Sequence, residues 1–318
     1  GASCGGSVVE VPEVAALLLN WRRAAMTLQC LADLLAATGV VLRVLVIDNG
    51  SGDDSTVVLQ QGVRELGART THRIELEALA QNVGFAGGMN HGLRWAERCA
   101  ARYVLVLNND LRLGPDFLAP LVAVLANDPS VAAVGPTVLY PDGRVWAEGG
   151  RTGFTPNAVQ LCRHGKTPRP RDHGPEAVEF LPAACVLFRT ADLCAIGGFD
   201  ESYFMYWEDV DLCDRLRARV GSIVWLPWVR VEHAPGQSSG GGRSPLRKYL
   251  MACNAVRWLK RRGTLRTWAA WCVFDVLGWP LALLAGPRAG WAKLRGTVAG
   301  LAGHRANATD VERFLPSS

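Results

Sequence analysis

Three short apolar runs in this chain stop abruptly at polar turns, and that pattern constrains the fold more than any other feature. Val14 to Leu19 ends at Asn20-Trp21-Arg22-Arg23. Val40 to Ile47 ends at Asp48-Asn49-Gly50-Ser51-Gly52-Asp53-Asp54-Ser55. Tyr103 to Leu107 ends at Asn108-Asn109-Asp110. Apolar runs of this length bounded by turn residues read as strands buried on both faces, the signature of a parallel sheet. Between the first two lies a helical pattern with Leu28, Leu31, Leu34 and Leu35 on one face, stopped by Gly39, which makes a strand–helix–strand unit. Open α/β sheets bind ligands just beyond the carboxyl ends of their strands. Asp110 therefore stands at the mouth of a cleft, where a carboxylate suits a hard divalent cation that also binds phosphate oxygens. The plainer alternative is an Asx-rich turn. Asp48 carries the same pair of readings, a hydrogen bond to a base or ribose against simple helix capping.

Further along, Asn82-Val83-Gly84-Phe85-Ala86-Gly87-Gly88-Met89-Asn90-His91-Gly92 precedes a helix expected to run to about Arg102. Its glycines do not have dinucleotide-fingerprint spacing. They offer either an anion site at a helix N-terminus or close packing on the sheet. His91 reads as an ordinary helix residue. Pro115 is placed to start a helix that Asp128-Pro129 ends, and Val131–Leu139 and Arg144–Trp146 read as strands around Pro141-Asp142-Gly143. Residues 149 to 179 are polar and rich in Pro, Gly and Arg, the composition of a mobile loop or lid. Phe180 to Phe188 is apolar, and a short helix after it stops at Gly197-Gly198. A second informative block, Gly198 to Leu216, surrounds Glu208-Asp209 with aromatics where a helix should begin. Leu212 and Leu216 fall inside, Arg215, Arg217 and Arg219 outside, and Asp214 on a solvated face. A carboxylate against an aromatic wall serves as a general base, while carboxylates in a first helical turn also simply favour the dipole. Ile223–Leu226 and Val229–Val231 lead to Glu232-His233, at the same sheet edge as Asp110. Gln237 to Gly242 reads as a flexible loop, and Arg243, Arg247 and Lys248 are placed to meet phosphate.

The 318 residues allow one large or two ordinary domains. Nine scattered cysteines form no C-x-x-C pair, which argues against zinc and for a reducing cytosol. The net charge of +5, with basic runs such as Lys260-Arg261-Arg262 towards the C-terminus, suits anionic lipid or phosphate-bearing substrates. No helix-turn-helix or zinc-finger signature points to nucleic acid. Thr267 to Ala285 approaches the length of a bilayer span, but Asp275, Gly278 and Pro280 interrupt it, so an interfacial helix competes with a true span.

Taken together, the blocks ending at Asp53, Asn90, Asp110 and Leu212, in this order, resemble family 2 glycosyltransferases, with the greatest similarity to their rhamnosyltransferase-like branch. The resemblance covers roughly Val14 to Arg262. It implies an α/β GT-A fold: a Rossmann-like mixed central sheet flanked by helices, with a catalytic domain over residues 1–243 and a helical C-terminal extension over 244–318. It also implies an inverting transfer of rhamnose or another hexose from a dTDP- or UDP-sugar to a hydroxyl of a glycan, lipid-linked or small-molecule acceptor. The cofactor implied is Mg²⁺ or Mn²⁺, held by Asp110 and His233. Asp209 is the implied base, with Glu208 beside it. The nucleotide falls to Asn20, Asp48, Asn49 and Ser51, to Asn82, Gly84, Phe85, Gly87, Gly88 and Asn90, and to Asn108 and Asn109. Asn108 stands where an acidic residue would give the metal a further carboxylate, and Trp21 where relatives have Tyr. The expected setting is the cytoplasm at the inner face of the membrane, with peripheral lipid contact, and a homodimer fits as well as a monomer. Two rival readings remain. A nucleotidyltransferase shares the layout but needs a glycine-rich basic loop after the first strand, which Asn20-Trp21-Arg22-Arg23 is not. A non-catalytic sugar-nucleotide or polysaccharide-binding scaffold needs neither Asp110 nor Asp209, and both are present.

Overall fold

The computed structural model describes residues 12–155, 157–233 and 244–314. The first half is a parallel α/β unit. β1 (Glu13–Asn20), α1 (Ala24–Leu35), β2 (Val41–Asp48), α2 (Ser55–Gly67), β3 (Arg73–Ala78), α3 (Gly84–Arg98) and β4 (Tyr103–Leu107) follow in order. β1 lies between β2 and β4, and β3 closes the edge, all parallel. The three apolar runs are therefore adjacent strands. Their polar ends share one edge, with Asn20 paired to Asp48 in register. β3 is the element the sequence hid. Arg73-Ile74-Glu75-Leu76-Glu77-Ala78 alternates charge with aliphatic residues, as a half-exposed edge strand does.

The second half is mixed. β5 (Leu111–Arg112), α4 (Leu118–Asn127), β6 (Val131–Leu139), β7 (Val145–Ala147), β8 (Gly150–Thr152), β9 (Val159–Leu161), β10 (Glu176–Val178), β11 (Cys185–Arg189), α5 (Thr190–Ala195), α6 (Glu208–Arg219) and β12 (Ser222–His233) follow. β11 runs antiparallel between β4 and β6, and β12 pairs parallel with β6. Two hydrophobic clusters fill opposite faces of this sheet. One carries α3, α6 and part of the C-terminal helices, the other α1 and α4.

Three expectations change here. α4 begins at Leu118, after a turn containing Pro115. Residues 149–179 are not one long loop: β8 and β9 form a hairpin and β10 adds an edge to β12. Three-residue strands are too short to show a period. Asp214 is not on a solvated face, because it accepts a hydrogen bond from Trp258 Nε1 at 2.9 Å. Arg215 is likewise held, by the buried Asp211 at 2.7 Å. The segment Gln237–Gly242 and Arg243 lie outside the described residues.

Beyond the sheet come α7 (Pro245–Arg262), α8 (Leu265–Trp271), α9 (Trp279–Ala285), α10 (Pro287–Leu301) and α11 (Ala308–Glu312), with a π-helical turn over Cys272–Val276. α7 is part of the main core, since Val256, Trp258 and Leu259 join the α3–α6 cluster. Among the described residues no helix is long and apolar enough to cross a membrane. The apolar stretch from Thr267 passes from α8 into the π-helical turn that contains Asp275 and is broken from α9 by the turn at Leu277-Gly278.

Candidate functional site

A buried polar network ties the carboxyl ends of β1, β2 and β4 together. Asn20 Nδ2 donates to Asp48 Oδ1 at 2.9 Å and to Ser51 Oγ at 3.3 Å. Its Oδ1 accepts from Thr27 Oγ1 at 2.8 Å. Thr27 Oγ1 in turn accepts from Asn109 Nδ2 at 2.9 Å. Asp48 Oδ2 accepts from Thr56 Oγ1 at 2.6 Å, and Ser51 also donates to Asp48 Oδ1. Asn20, Thr27, Asp48, Ser51 and Asn109 are all buried. Both carboxylate oxygens of Asp48 thus have partners inside the protein, as a buried charge requires. Sequence reasoning missed Thr27 and Thr56. Their signal was position: each lies near the start of the helix after a strand, where a hydroxyl reaches back to the strand's last side chain. Arg22 fastens the same turn, its Nε donating to the Ser51 carbonyl at 2.8 Å, with its guanidinium over Trp21.

The glycine block behaves as packing. Asn49 Nδ2 donates to Asn82 Oδ1 at 3.0 Å and to the Gly84 carbonyl at 3.1 Å, while its Oδ1 accepts from Val83 N–H at 3.0 Å. Gly84 has φ +79°, and a Cβ there would come within 2.5 Å of the Phe204 carbonyl oxygen. A Cβ on Gly88 would meet Leu19 at 2.5 Å, and one on Gly87 would meet Val83 at 3.0 Å. The N–H groups at the start of α3 are engaged too. Gly84 donates to Asn82 Oδ1, and Phe85 and Ala86 donate to the Phe204 carbonyl. Three of the first four N–H groups of this helix are therefore engaged within the protein. Phe85 packs edge-on to Phe199. Asn90 binds both backbone groups of Phe199, at 2.8 and 2.9 Å, and Glu201 Oε1 at 2.9 Å. His91 pairs with Glu77 of β3.

β5 brings the third polar run to the end of β12, pairing Leu111 with His233. Asp110 Oδ1 lies 2.9 Å from His233 Nε2, and both side chains are buried. Trp146 packs edge-on against the imidazole at 4.5 Å. His233 Nδ1 is buried with no hydrogen-bond partner among the described residues. One carboxylate and one imidazole fit a divalent cation whose remaining positions go to phosphate oxygens and water. Among the described residues no third acidic, histidine or cysteine side chain completes a cluster.

The carboxylate pair opens α6, whose first turn holds Glu208, Asp209 and Asp211 and whose last holds Arg217 and Arg219, matching the helix dipole. Asp209 Oδ2 accepts from Ala183 N–H at 3.3 Å and Oδ1 from Val210 N–H at 2.8 Å. The next carbonyl, that of Ala184, accepts from Asn108 N–H at 2.9 Å. One two-residue segment therefore joins Asp209 to the Asn108-Asn109-Asp110 turn. Burial pushes the Asp209 carboxyl up to about 6, against the two backbone donors. Glu208 is raised further, by burial and then by the charge of Asp209. The pair binds protons more tightly than ordinary exposed carboxyls do. Nearby, Arg247 stands over the Tyr206 ring. Lys248 is lowered by burial and by the neighbouring Lys293 and Arg247.

Comparison with known proteins gives one consistent picture. Residues 19–192 match the sequence profile of Glycosyl transferase family 2. The N-acetylglucosaminyl-diphospho-decaprenol L-rhamnosyltransferase of Mycobacterium tuberculosis is 28% identical over 232 residues, 66% of this chain and 72% of its own length. The structure of GalNAc-T7 with UDP, GalNAc and Mn²⁺ superposes with a TM-score of 0.61 at 12% identity. It covers 96% of this chain, which spans 56% of that one. The mannosyltransferase PcManGT of Pyrobaculum calidifontis, in complex with GDP-Man and Mn²⁺, superposes with a TM-score of 0.57 at 15% identity, over 92% of this chain and 88% of its own. At these identities the two structures speak for the fold, the GT-A arrangement of a mixed sheet flanked by helices.

Proposed function

The chain belongs to glycosyl transferase family 2 and is a glycosyltransferase, and we propose that it moves a sugar from a dTDP- or UDP-sugar to a hydroxyl acceptor with inversion at the anomeric carbon. The observation that carries this reading is the placement of two pairs, Asp110–His233 and Glu208–Asp209, at one sheet edge and joined through Ala183-Ala184. Asp209, which opens α6 and faces Ala183 N–H, takes the proton of the acceptor hydroxyl. As the acceptor oxygen bonds to the anomeric carbon, the bond from that carbon to the diphosphate oxygen breaks, and the leaving nucleoside diphosphate keeps the electron pair. Asp110 and His233 would hold Mg²⁺ or Mn²⁺, which when bound neutralises charge on the departing diphosphate. Asn20, Asp48 and Ser51 set the floor of the nucleotide cleft, with Asn108 and Asn109 at its metal end. Asn49, Asn82, Gly84, Phe85, Gly87, Gly88 and Asn90 act on the nucleotide indirectly, by fixing α3 against that floor. Residues 1–243 form the catalytic unit on this reading, and 244–318 the helical extension.

The relative named for L-rhamnosyl transfer to N-acetylglucosaminyl-diphospho-decaprenol supports rhamnose as the sugar and an N-acetylglucosaminyl-diphospho-lipid as acceptor, and dTDP-rhamnose is the donor we propose. The test is to incubate the protein with both and Mn²⁺ and read the new linkage by NMR. Transfer with an inverted anomeric centre is expected. A retained configuration, or folded protein that transfers nothing from any dTDP- or UDP-sugar, contradicts the reading. A pH series supplies an independent check. A base raised to about 6 is protonated below that value, so kcat should hold above pH 7 and fall about tenfold per pH unit below 6. A limb near pH 4 would show that Asp209 is not the group titrating.

The helical extension supports contact with a membrane surface. Leu265, Val273, Phe274, Val276, Leu277, Leu281, Leu284 and Trp291 are exposed, from 42% to 87%. Between Thr264 and Ala302 the charged side chains are Arg266, Arg288, Lys293, Arg295 and a single acid, Asp275, which Lys293 already holds. Exposed apolar side chains in a stretch of net positive charge fit an anionic bilayer face. The protein should float with phosphatidylglycerol vesicles and far less with phosphatidylcholine ones. Leu277→Glu with Leu281→Glu should abolish flotation. Equal recovery with both lipids, a stable dimer in their absence, or flotation unchanged by the substitutions would each reject this face as the lipid contact.

A further inference from the structure

The backbone leading into α6 is strained, and one side chain from the extension holds it. Phe204, Tyr206 and Trp207 adopt φ values of 57°, 68° and 77°. For bulky residues that region costs on the order of 1 kcal/mol or more each, and it persists only where the surroundings fix it. The carbonyls show what does so. Phe204 O accepts from Phe85 N–H at 2.7 Å. The carbonyls of Tyr203, Met205 and Tyr206 all converge on Nδ2 of Asn254, at 2.7, 2.9 and 2.9 Å. Asn254 lies on α7 and is fully buried, and its Oδ1 has no hydrogen-bond partner among the described residues. The amide orientation follows from this set, since the reverse would press Oδ1 against three carbonyl oxygens. A carboxylate would repel all three, and an aliphatic side chain would remove their shared donor, leaving Tyr203 O the Met205 N–H at 2.6 Å. Trp207, in the left-handed region and packed against Phe154 and Trp258 at 5.9 and 5.6 Å, then delivers the chain to Glu208 and Asp209.

We propose that Asn254 is a positioning residue for sugar transfer: it fixes the Tyr203–Trp207 turn so that the Asp209 carboxylate meets Ala183 N–H and faces the acceptor hydroxyl. The assignment rests on Asp209 as the base. Asn254 donates only to backbone, so its loss acts on the chemical step more than on donor binding. A small error in the aim of a reacting group is enough to cost about a hundredfold.

The test compares Asn254→Ala and Asn254→Ser with the wild type, using dTDP-rhamnose, Mn²⁺ and the N-acetylglucosaminyl-diphospho-lipid, after thermal melts confirm folding. For Asn254→Ala, kcat should fall about tenfold to a hundredfold with little change in donor KM. The acid limb should move down towards ordinary carboxylate values as the turn loosens. Asn254→Ser, which keeps one donor, should fall between. A folded Asn254→Ala with wild-type kcat and an unmoved limb overturns the proposal, and if that variant does not fold, the same readouts on Asn254→Ser decide. Asp209→Asn separates the two ideas. If it stays active, the base assignment fails. If it is dead while both Asn254 variants are unimpaired, only the role of Asn254 fails. Should the wild type not turn over this substrate pair, amide exchange decides. Protection over residues 203–209 must drop in Asn254→Ser while β1 and β4 stay protected, and unchanged protection overturns the proposal.

Discussion

Asp209→Asn is expected to cut transfer about a thousandfold or more, the scale of losing a positioned general base, while nucleotide binding and folding survive. The carboxylate accepts from the Ala183 and Val210 N–H groups on separate oxygens. An amide keeps one of these bonds and cannot take a proton from the acceptor. Glu208 loses the neighbouring charge in this variant, but burial, the first cause of its raised pKa, remains. The measurement is a paired one: initial rate of nucleoside diphosphate release, and thermal stabilisation by the nucleotide. Loss of both would mean that the substitution had disturbed the fold, and retention of both would remove Asp209 from the chemistry.

Asp110→Ala carries the second large effect, of a different kind. The side chain lies 2.9 Å from His233 in a buried pocket walled by Trp146. Removing it takes away the one protein carboxylate assigned to the cation. Turnover should drop at least about a hundredfold, as when charge stabilisation worth several kcal/mol is lost. The distinguishing result is that Mn²⁺ no longer strengthens nucleotide binding in the variant, whereas it does so in Asp209→Asn. If Asp110→Ala keeps its metal dependence, the cation is bound elsewhere.

The elements that position the site were legible because their physics is local. A strand buried on both faces is a continuous apolar run, and a strand end facing solvent is a polar turn, so Asn20, Asp48 and Asp110 announced themselves. His233 was legible for the same reason. The glycine block was legible as a helix start but not as a packing device. Small residues are wanted by a phosphate and by a neighbouring side chain alike, and close approaches such as the 2.5 Å of a Cβ on Gly88 to Leu19 speak for the second demand. Two of the backbone donors at α3, those of Phe85 and Ala86, go to Phe204, a residue far away in sequence. Asn254 was invisible for that reason too. A lone asparagine in the amphipathic pattern of α7 carries no periodic signal, and its three acceptors belong to a turn that the sequence marks only as aromatic. β3, β8, β9 and β10 were lost to short length or to charge alternation.

The most direct test of the central claim, a metal-assisted nucleotide-sugar site at the carboxyl edge of the sheet, is thermal stabilisation by dTDP, UDP, GDP and their sugars, each with Mn²⁺, Mg²⁺ or EDTA. A ligand of the native state raises stability with the logarithm of its concentration over its dissociation constant. The account predicts a shift with dTDP or UDP that appears with the metal and collapses in EDTA. It predicts that Asp110→Ala abolishes the metal-dependent part. A folded protein that no nucleotide stabilises under any of these conditions, or one stabilised equally in EDTA, would contradict it.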